Sequence, residues 1–341
     1  MMTMRLSFIS LVVLFFCGCS NFQGAKALEF FSNLDKSGRW KPYNRVDAEG
    51  RVLSGDVACF EVNMFVLDSV KDLMVQGGSE KKCWDDHGIL TEYVVKDSSG
   101  ETIYSQRSET ENGYLLSRTI DSKVVSRRLP KKTTLRMTTP EDEAANTRAY
   151  TLTNDSGTVF KVQYRTGENG KMVAAKIIYP FTHELNIEYG KDDSLLSISD
   201  ATRAKEHHID FISEQGSRYV EKVVYNGELY SYGSREVDAK GRPVDIVFSD
   251  EFSGGQIHRK YTYTPDGRTA TIWENGVSRN LVYEGEKLVR EEFYNYGGKL
   301  LMVVDIVTDS VGNVVESSYV KKADMRLNRA KKQYKYTITY R

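Results

Sequence analysis

The chain has 341 residues with 47 Lys plus Arg against 47 Asp plus Glu, a formal charge of zero that excludes the basic surface nucleic-acid binding requires. Tyr is abundant at 21 and Pro scarce at 6, the composition of a sheet protein whose broad side chains cover pleated surfaces. The roughly 320 residues beyond the first segment exceed the usual ceiling for one compact core, so two domains or an elongated sheet are expected.

At the start of the chain, Arg5 precedes an unbroken apolar run from Leu6 to Phe16. This run is too short to cross a bilayer and has the length of a signal-peptide core. The junction Phe16-Cys17-Gly18-Cys19 resembles a bacterial lipobox, with Phe16 where that motif prefers Leu. The resemblance implies that residues 1–18 are removed and that Cys19 carries lipid as the first mature residue. The alternatives are an ordinary secretory signal cut near Gly18 without lipid and a short uncleaved anchor. Two or more acyl chains hold a protein stably, at about 0.8 kcal/mol per buried methylene. Ser20 follows the cysteine, which by resemblance to enterobacterial lipoproteins implies the periplasmic face of the outer membrane, with the inner membrane as the alternative. Residues 19–45 read as a tether, within which Ala25 to Leu34 offers a short helix.

From residue 46 onward, short alternating segments are punctuated by turns that end in Gly. These are Asp47–Gly50, Asp97–Gly100, Asn154–Gly157, Glu168–Gly170, Asp238–Gly241, Pro265–Gly267, Glu274–Gly276 and Asp309–Gly312. In each, an Asp or Asn side chain caps the turn and Gly takes the positive φ that closes a hairpin. Between turns the period is two. Leu185, Ile187 and Tyr189 oppose Glu184, Asn186 and Glu188; Tyr334, Tyr336, Ile338 and Tyr340 oppose Lys335, Thr337, Thr339 and Arg341. Phe160, Val162 and Tyr164 repeat the scheme, as do Tyr261 and Tyr263. The predicted fold is therefore all-β: a repetitive antiparallel hairpin meander, as an extended curled sheet or open barrel, with one side packed and one wet.

Within it, residues 46–130 form a region holding Cys59 and Cys83, the only cysteines downstream of Cys19. An exported chain meets an oxidising compartment, so a bridge between them is expected, stabilising by roughly 3 kcal/mol in the chain-entropy model. Residues 131–148 lack alternation and read as a polar loop or short helix, with Thr139-Pro140-Glu141-Asp142-Glu143 as a helix start. Residues 149–341 form the hairpin-repeat region. Its basic stretch Ala323–Gln333, with Lys321 and Lys322 before it, reads as a solvated loop in preference to a patch for anionic lipid or polysaccharide.

Two families are similar at these residues. Tyr261-Thr262-Tyr263-Thr264-Pro265-Asp266-Gly267-Arg268, then Glu274-Asn275-Gly276 and Tyr294-Asn295-Tyr296-Gly297-Gly298, resembles YD (Rhs-type) repeats, which implies curling sheets that act as shells or binding surfaces. The layout as a whole resembles the YnfC-type (UPF0257) lipoproteins, through the lipobox start, Arg51-Val52-Leu53-Ser54-Gly55, Cys59-Phe60, a second Cys and the closing strand Tyr336–Tyr340. That family implies a location and a fold but no activity.

Motifs for catalysis are lacking: there is no G-x-S-x-G, P-loop or G-x-G-x-x-G. His183-Glu184-Leu185-Asn186-Ile187 begins like a zinc-protease helix, but Ile187 stands at the second ligand position and the alternation there is that of a strand. His207-His208 reads as a surface pair, His87 beside Cys83 as a lone couple, and Asp192-Asp193 as a solvated turn, not a calcium loop. Trp40, Trp84 and Trp273 read as sheet cover in preference to sugar platforms. No catalytic, cofactor or metal residue is assigned. The expectation is a non-enzymatic envelope lipoprotein, held to the membrane by lipid, whose sheet is a scaffold or binds an envelope protein or polysaccharide. The alternatives are a glycan or peptidoglycan hydrolase with an unrecognised carboxylate site, and an accessory or immunity component of a Rhs-like effector.

Overall fold

A computed structural model describes residues 20–42, 45–48, 51–68, 73–123, 131–138, 146–191, 194–214, 217–250, 255–321 and 332–341. The signal segment with Cys19, the expected helix start at Thr139, Asp192-Asp193 and most of the basic stretch (residues 322–331) lie outside these residues. The described chain is all-β apart from one short helix with a 3-10 turn after it, and every described strand pairing is antiparallel. The expected turns within the described residues close as their residues dictate, Gly50 of the Asp47–Gly50 turn lying outside them. Gly100, Gly157, Gly170, Gly241, Gly267, Gly276 and Gly312 all take positive φ, and Asp97, Asp238 and Asp309 accept backbone N–H groups across their turns.

Two compact units are present. Among the described residues, the first comprises residues 45–105 and 259–341, the second residues 20–42 and 106–258. This division differs from the expected one, which set a polar loop or short helix at 131–148 between a region 46–130 and a region 149–341. The reason is a long-range pairing: Val57–Asp68 lies between Leu73–Trp84 on one side and Lys332–Tyr340 on the other, so the early and late strands share one unit. Lys132–Thr138 is also a strand, paired with Tyr114–Ser122 and Thr147–Asn154. Its alternation is carried by threonine as well as leucine: Thr133 and Leu135 are buried while Lys132 and Arg136 are exposed.

In the first unit, Cys59 and Cys83 sit opposite each other in register and are bridged, with Cα atoms 4.1 Å apart. The other side of these strands carries an aromatic row in which Phe60 lies between Trp84 and Tyr336, at 6.4 and 6.3 Å between ring centroids. The chain before the first strand covers this row. Leu53 and Val57 join Phe60, Val304 and Ile306 in one core, and Ser54 exchanges hydrogen bonds of 2.6 and 2.8 Å with the Asn313 side chain. Arg51 reaches down to Glu291, whose side chain is 0% exposed, through bonds of 3.0 and 3.2 Å, and also holds Asp47 at 2.9 Å. Arg279 approaches the same carboxylate at 3.0 Å. Burial works against charge on Glu291, but Arg279 and Arg51 outweigh it and hold its pKa below the usual carboxylate range.

The second unit corrects the tether. Ser20–Phe30 is an α-helix, α1, followed by a 3-10 turn at Phe31–Asn33. It touches the strands Gly157–Thr166, Met172–Tyr179, His208–Glu214 and Arg218–Tyr225, and Gly24, Ala25, Lys26, Ala27, Leu28 and Phe30 are all buried. Over Gly24–Leu28 burial runs all round the helix axis, so this stretch has no exposed polar face to read as a surface element. Phe30 sits among four rings, those of Phe31, Trp40, Tyr150 and Phe160, at 4.9 to 5.8 Å. Beyond the 3-10 turn, Leu34 bridges back to Trp40. Gly38, at φ +73°, lies under the Tyr164 ring, whose hydroxyl donates to the Gly38 carbonyl at 2.5 Å. A Cβ there would fall 2.3 Å from that ring.

Because Leu28 is fully buried in this core, Leu28→Ala is expected to lower the unfolding free energy by about 3 kcal/mol. Urea unfolding followed by tryptophan fluorescence measures this. A tether would register no change.

Candidate functional site

The described residues carry two places where polar chemistry gathers, both in the second unit. The first is a buried histidine cluster that local sequence did not reveal. His183 opens the strand His183–Tyr189, and Asp200 closes the strand Leu195–Asp200. Antiparallel register sets Leu185 opposite Asp200, which brings the Asp200 carboxylate against His183 Nδ1. Its other oxygen accepts the Thr202 N–H, the Thr202 hydroxyl and the Arg203 N–H, each at 2.8 Å. Burial opposes the charge on Asp200, but these bonds and that of His183 prevail and bring its pKa down to about 2.

The loop after Asp200 returns with His207, whose ring centroid lies 5.1 Å from that of His183 and 4.2 Å from that of Tyr225. His207 is therefore not a surface residue; it is buried, while His208 beside it is half-buried and 3.4 Å from Asp210. The Asn226 N–H donates to His207 Nδ1 at 3.5 Å, which leaves the proton on Nε2. That nitrogen makes no hydrogen bond and lies 3.9 Å from Glu206. Tyr225 seats the helix: a Cβ on Gly24 would fall 2.0 Å from the Tyr225 hydroxyl, so only glycine allows α1 this close to the sheet. The cluster has an acid, two imidazoles and a phenol, but no Ser or Cys nucleophile, and no group of three metal-ligating side chains exists among the described residues. The cluster lies under the helix, with Tyr225 packed against Gly24 and His207 against Tyr225.

The second place is a cavity of about 320 Å³ beside the 34–41 loop, lined in part by Leu34, Asp35, Lys36, Lys41, Leu195 and Phe211. Lys41 Nζ lies 4.9 Å from the centre of the Phe211 ring and donates to the Ser32 carbonyl at 2.6 Å. Asp35 spends one carboxylate oxygen on its own turn, accepting from Ser37 and from the Arg39 N–H. Glu221 stands opposite Phe211 in register. Burial pushes its pKa up, Lys41 and Ser32 work against that, and Glu29 adds to it. Glu29 in turn pairs with Lys26.

Of the other sequence candidates, Trp40 and Trp84 are buried, and Trp40 lies under the Arg118 guanidinium at 4.7 Å. Trp273 is half-buried. His87 sits in the exposed turn after Trp84, its N–H bound to Asp85. The sequence signal for the histidine cluster was present but not local. Asp200-Ala201-Thr202 is an Asx turn, and it places His207 beside a histidine 24 positions earlier.

No protein-family model matches the chain, and no curated protein matches it. Among solved structures, a porin-like protein from Bacteroides uniformis ATCC 8492 aligns over 84% of this chain and 99% of its own, with 10% identity and a TM-score of 0.29. A Tc holotoxin pore from Photorhabdus luminescens aligns over 88% of this chain but 16% of its own length, with 9% identity and a TM-score of 0.26. Agreement this low says nothing about what this chain binds or does.

The histidine cluster makes stability depend on pH. Burial, then His183 and Arg203, hold the His207 pKa below its ordinary value, so the unfolded chain binds its proton first. Stability is full above about pH 6.5 and falls as pH drops through the window below it. The urea midpoint is expected to fall between pH 7.5 and 5.5, and His207→Phe is expected to flatten that slope. An unchanged slope in the variant would remove His207 from this role.

Proposed function

We propose that the chain is a non-enzymatic envelope lipoprotein, held to the membrane through lipid on Cys19, whose sheets serve as a scaffold or binding face. The observation that carries this reading is the sequence Leu6–Cys19, an apolar core of signal length ending at a lipobox-like cysteine. The Cys59–Cys83 bridge supports it, because such bridges persist in oxidising compartments. The likeness to YnfC-type lipoproteins and to YD repeats belongs to the same reading. So does the use of buried polar groups. The Arg51–Glu291 and His183–Asp200 pairs fasten covering segments and adjacent strands together and lie buried from solvent.

Cys19→Ala tests the anchor: the body is expected to leave the membrane fraction for the soluble periplasmic fraction, or to remain as uncleaved precursor. Mass spectrometry of the wild-type protein showing an unmodified Cys19 would contradict the proposal.

A second reading, an envelope glycan hydrolase, is favoured by one observation, the raised pKa of Glu221, which pairs in register with Phe211 at the wall of the 320 Å³ cavity. On the leading reading, purified protein incubated with peptidoglycan fragments releases no new reducing ends. Turnover that is lost in Glu221→Gln would establish the hydrolase instead.

A further inference from the structure

In an antiparallel meander, alternate turns lie at the same end of the sheet. In the second unit, Pro180-Phe181-Thr182, the loop 201–207 and the turn Asn226-Gly227 therefore share one end. The start of α1 lies at this end too, since Gly24 rests on Tyr225, the residue before Asn226. The loop after the helix lies at the other end, where the Lys36 carbonyl takes the Met172 N–H and the Trp40 N–H bonds Gly113. A chain of rings joins the first set: Phe181 to His183 at 6.3 Å, His183 to Tyr225 at 6.5 Å, and Tyr225 against Gly24. Ser20 stands about 6 Å beyond Gly24 along the helix axis.

The turn at this end is chemically out of place. Its neighbours Asp155-Ser156-Gly157 and Asn226-Gly227 are polar, as hairpin turns are, whereas this one reads Tyr179-Pro180-Phe181. Phe181 is 44% exposed, Tyr179 39% and Leu229, at the same end, 44%. Arg203 and Lys205 are exposed on the adjoining loop, as are Glu206, 3.8 Å from Arg203, and Glu228 beside Leu229. Aromatic and apolar side chains bordered by charged ones of both signs match the boundary between zwitterionic lipid headgroups and acyl chains.

We infer that this end of the second unit faces a phospholipid bilayer, with Phe181, Tyr179 and Leu229 set into its headgroup interface. Lipid is the occupant because the apolar run Leu6–Phe16 and Cys19 precede the helix that emerges here. This inference rests on the reading of Cys19 as the lipid-bearing residue and gives it an orientation. With α1 fixed in the core, little slack remains between the membrane and the body.

The test uses full-length protein purified from membranes and reconstituted into vesicles of phosphatidylethanolamine and phosphatidylglycerol carrying brominated acyl chains. Phe181→Trp and Val173→Trp each add one fluorophore to the native background. Val173 is 50% exposed near the opposite end of the same hairpin, about 25 Å away along the strand. The Phe181→Trp increment is expected to be quenched roughly three-fold more strongly than the Val173→Trp increment, because interfacial groups sit within about 5–10 Å of the acyl chains. Equal quenching, or none at Phe181→Trp, overturns the inference, and that is also the result if the turn docks another protein. The mass of the same sample reads the state of Cys19. Lipidated and unquenched leaves the anchor standing without this surface; unmodified and quenched leaves the surface without the anchor.

Discussion

A sheet with one apolar face must have that face covered, and everything else in this chain follows from how it is done. Period-two strands leave a row of Phe, Tyr, Val and Ile on one side, which is stable only when removed from water. Neither unit covers it with its own meander alone. In the second unit the cover is α1 and the loop after it, with Phe30 held among four rings. In the first it is the segment before Val57, where Leu53 and Arg51 reach into the core. Both covers come from the stretch between residues 20 and 56, ahead of all the strands.

Polar groups enter these cores where a cover has to be fixed in place. A buried ion pair contributes little net stability, but a misplaced partner leaves an uncompensated charge, so such pairs enforce one arrangement. Arg51 with Glu291, the Tyr164 hydroxyl with the Gly38 carbonyl, and the Asp200–His183–His207–Tyr225 cluster beneath Gly24 all lie where a cover or a neighbouring strand meets the sheet. This accounts for the apparent conflict between many buried charged side chains and a chain without catalytic motifs. Those groups hold covers and strands in position.

Hairpins were legible in the sequence because their causes are local. An Asp or Asn cap three residues before a Gly, and a two-residue alternation, need no knowledge of the rest of the chain. Helix α1 was not legible as core. It follows a signal-like segment, it has no apolar stripe because it is buried all round, and Gly24, Ala25 and Ala27 look like linker residues when they are in fact small enough for close approach. Lys132–Thr138 reads as polar because three of its residues are threonine, although Thr133 is buried. His183 and His207 were judged separately as a failed zinc motif and a surface pair. Only the register of Leu185 against Asp200 and the Asx turn at Thr202 bring them together.

Amide hydrogen exchange of residues 25–31 in the full-length protein tests the central claim most directly. If α1 is the core of the second unit, these amides exchange only as slowly as those of Gly157–Thr166 and Arg218–Tyr225, because the helix opens only when those strands do. Exchange within seconds, while the strands stay protected, would make this segment the leash that its sequence suggests and would leave the sheet without its cover.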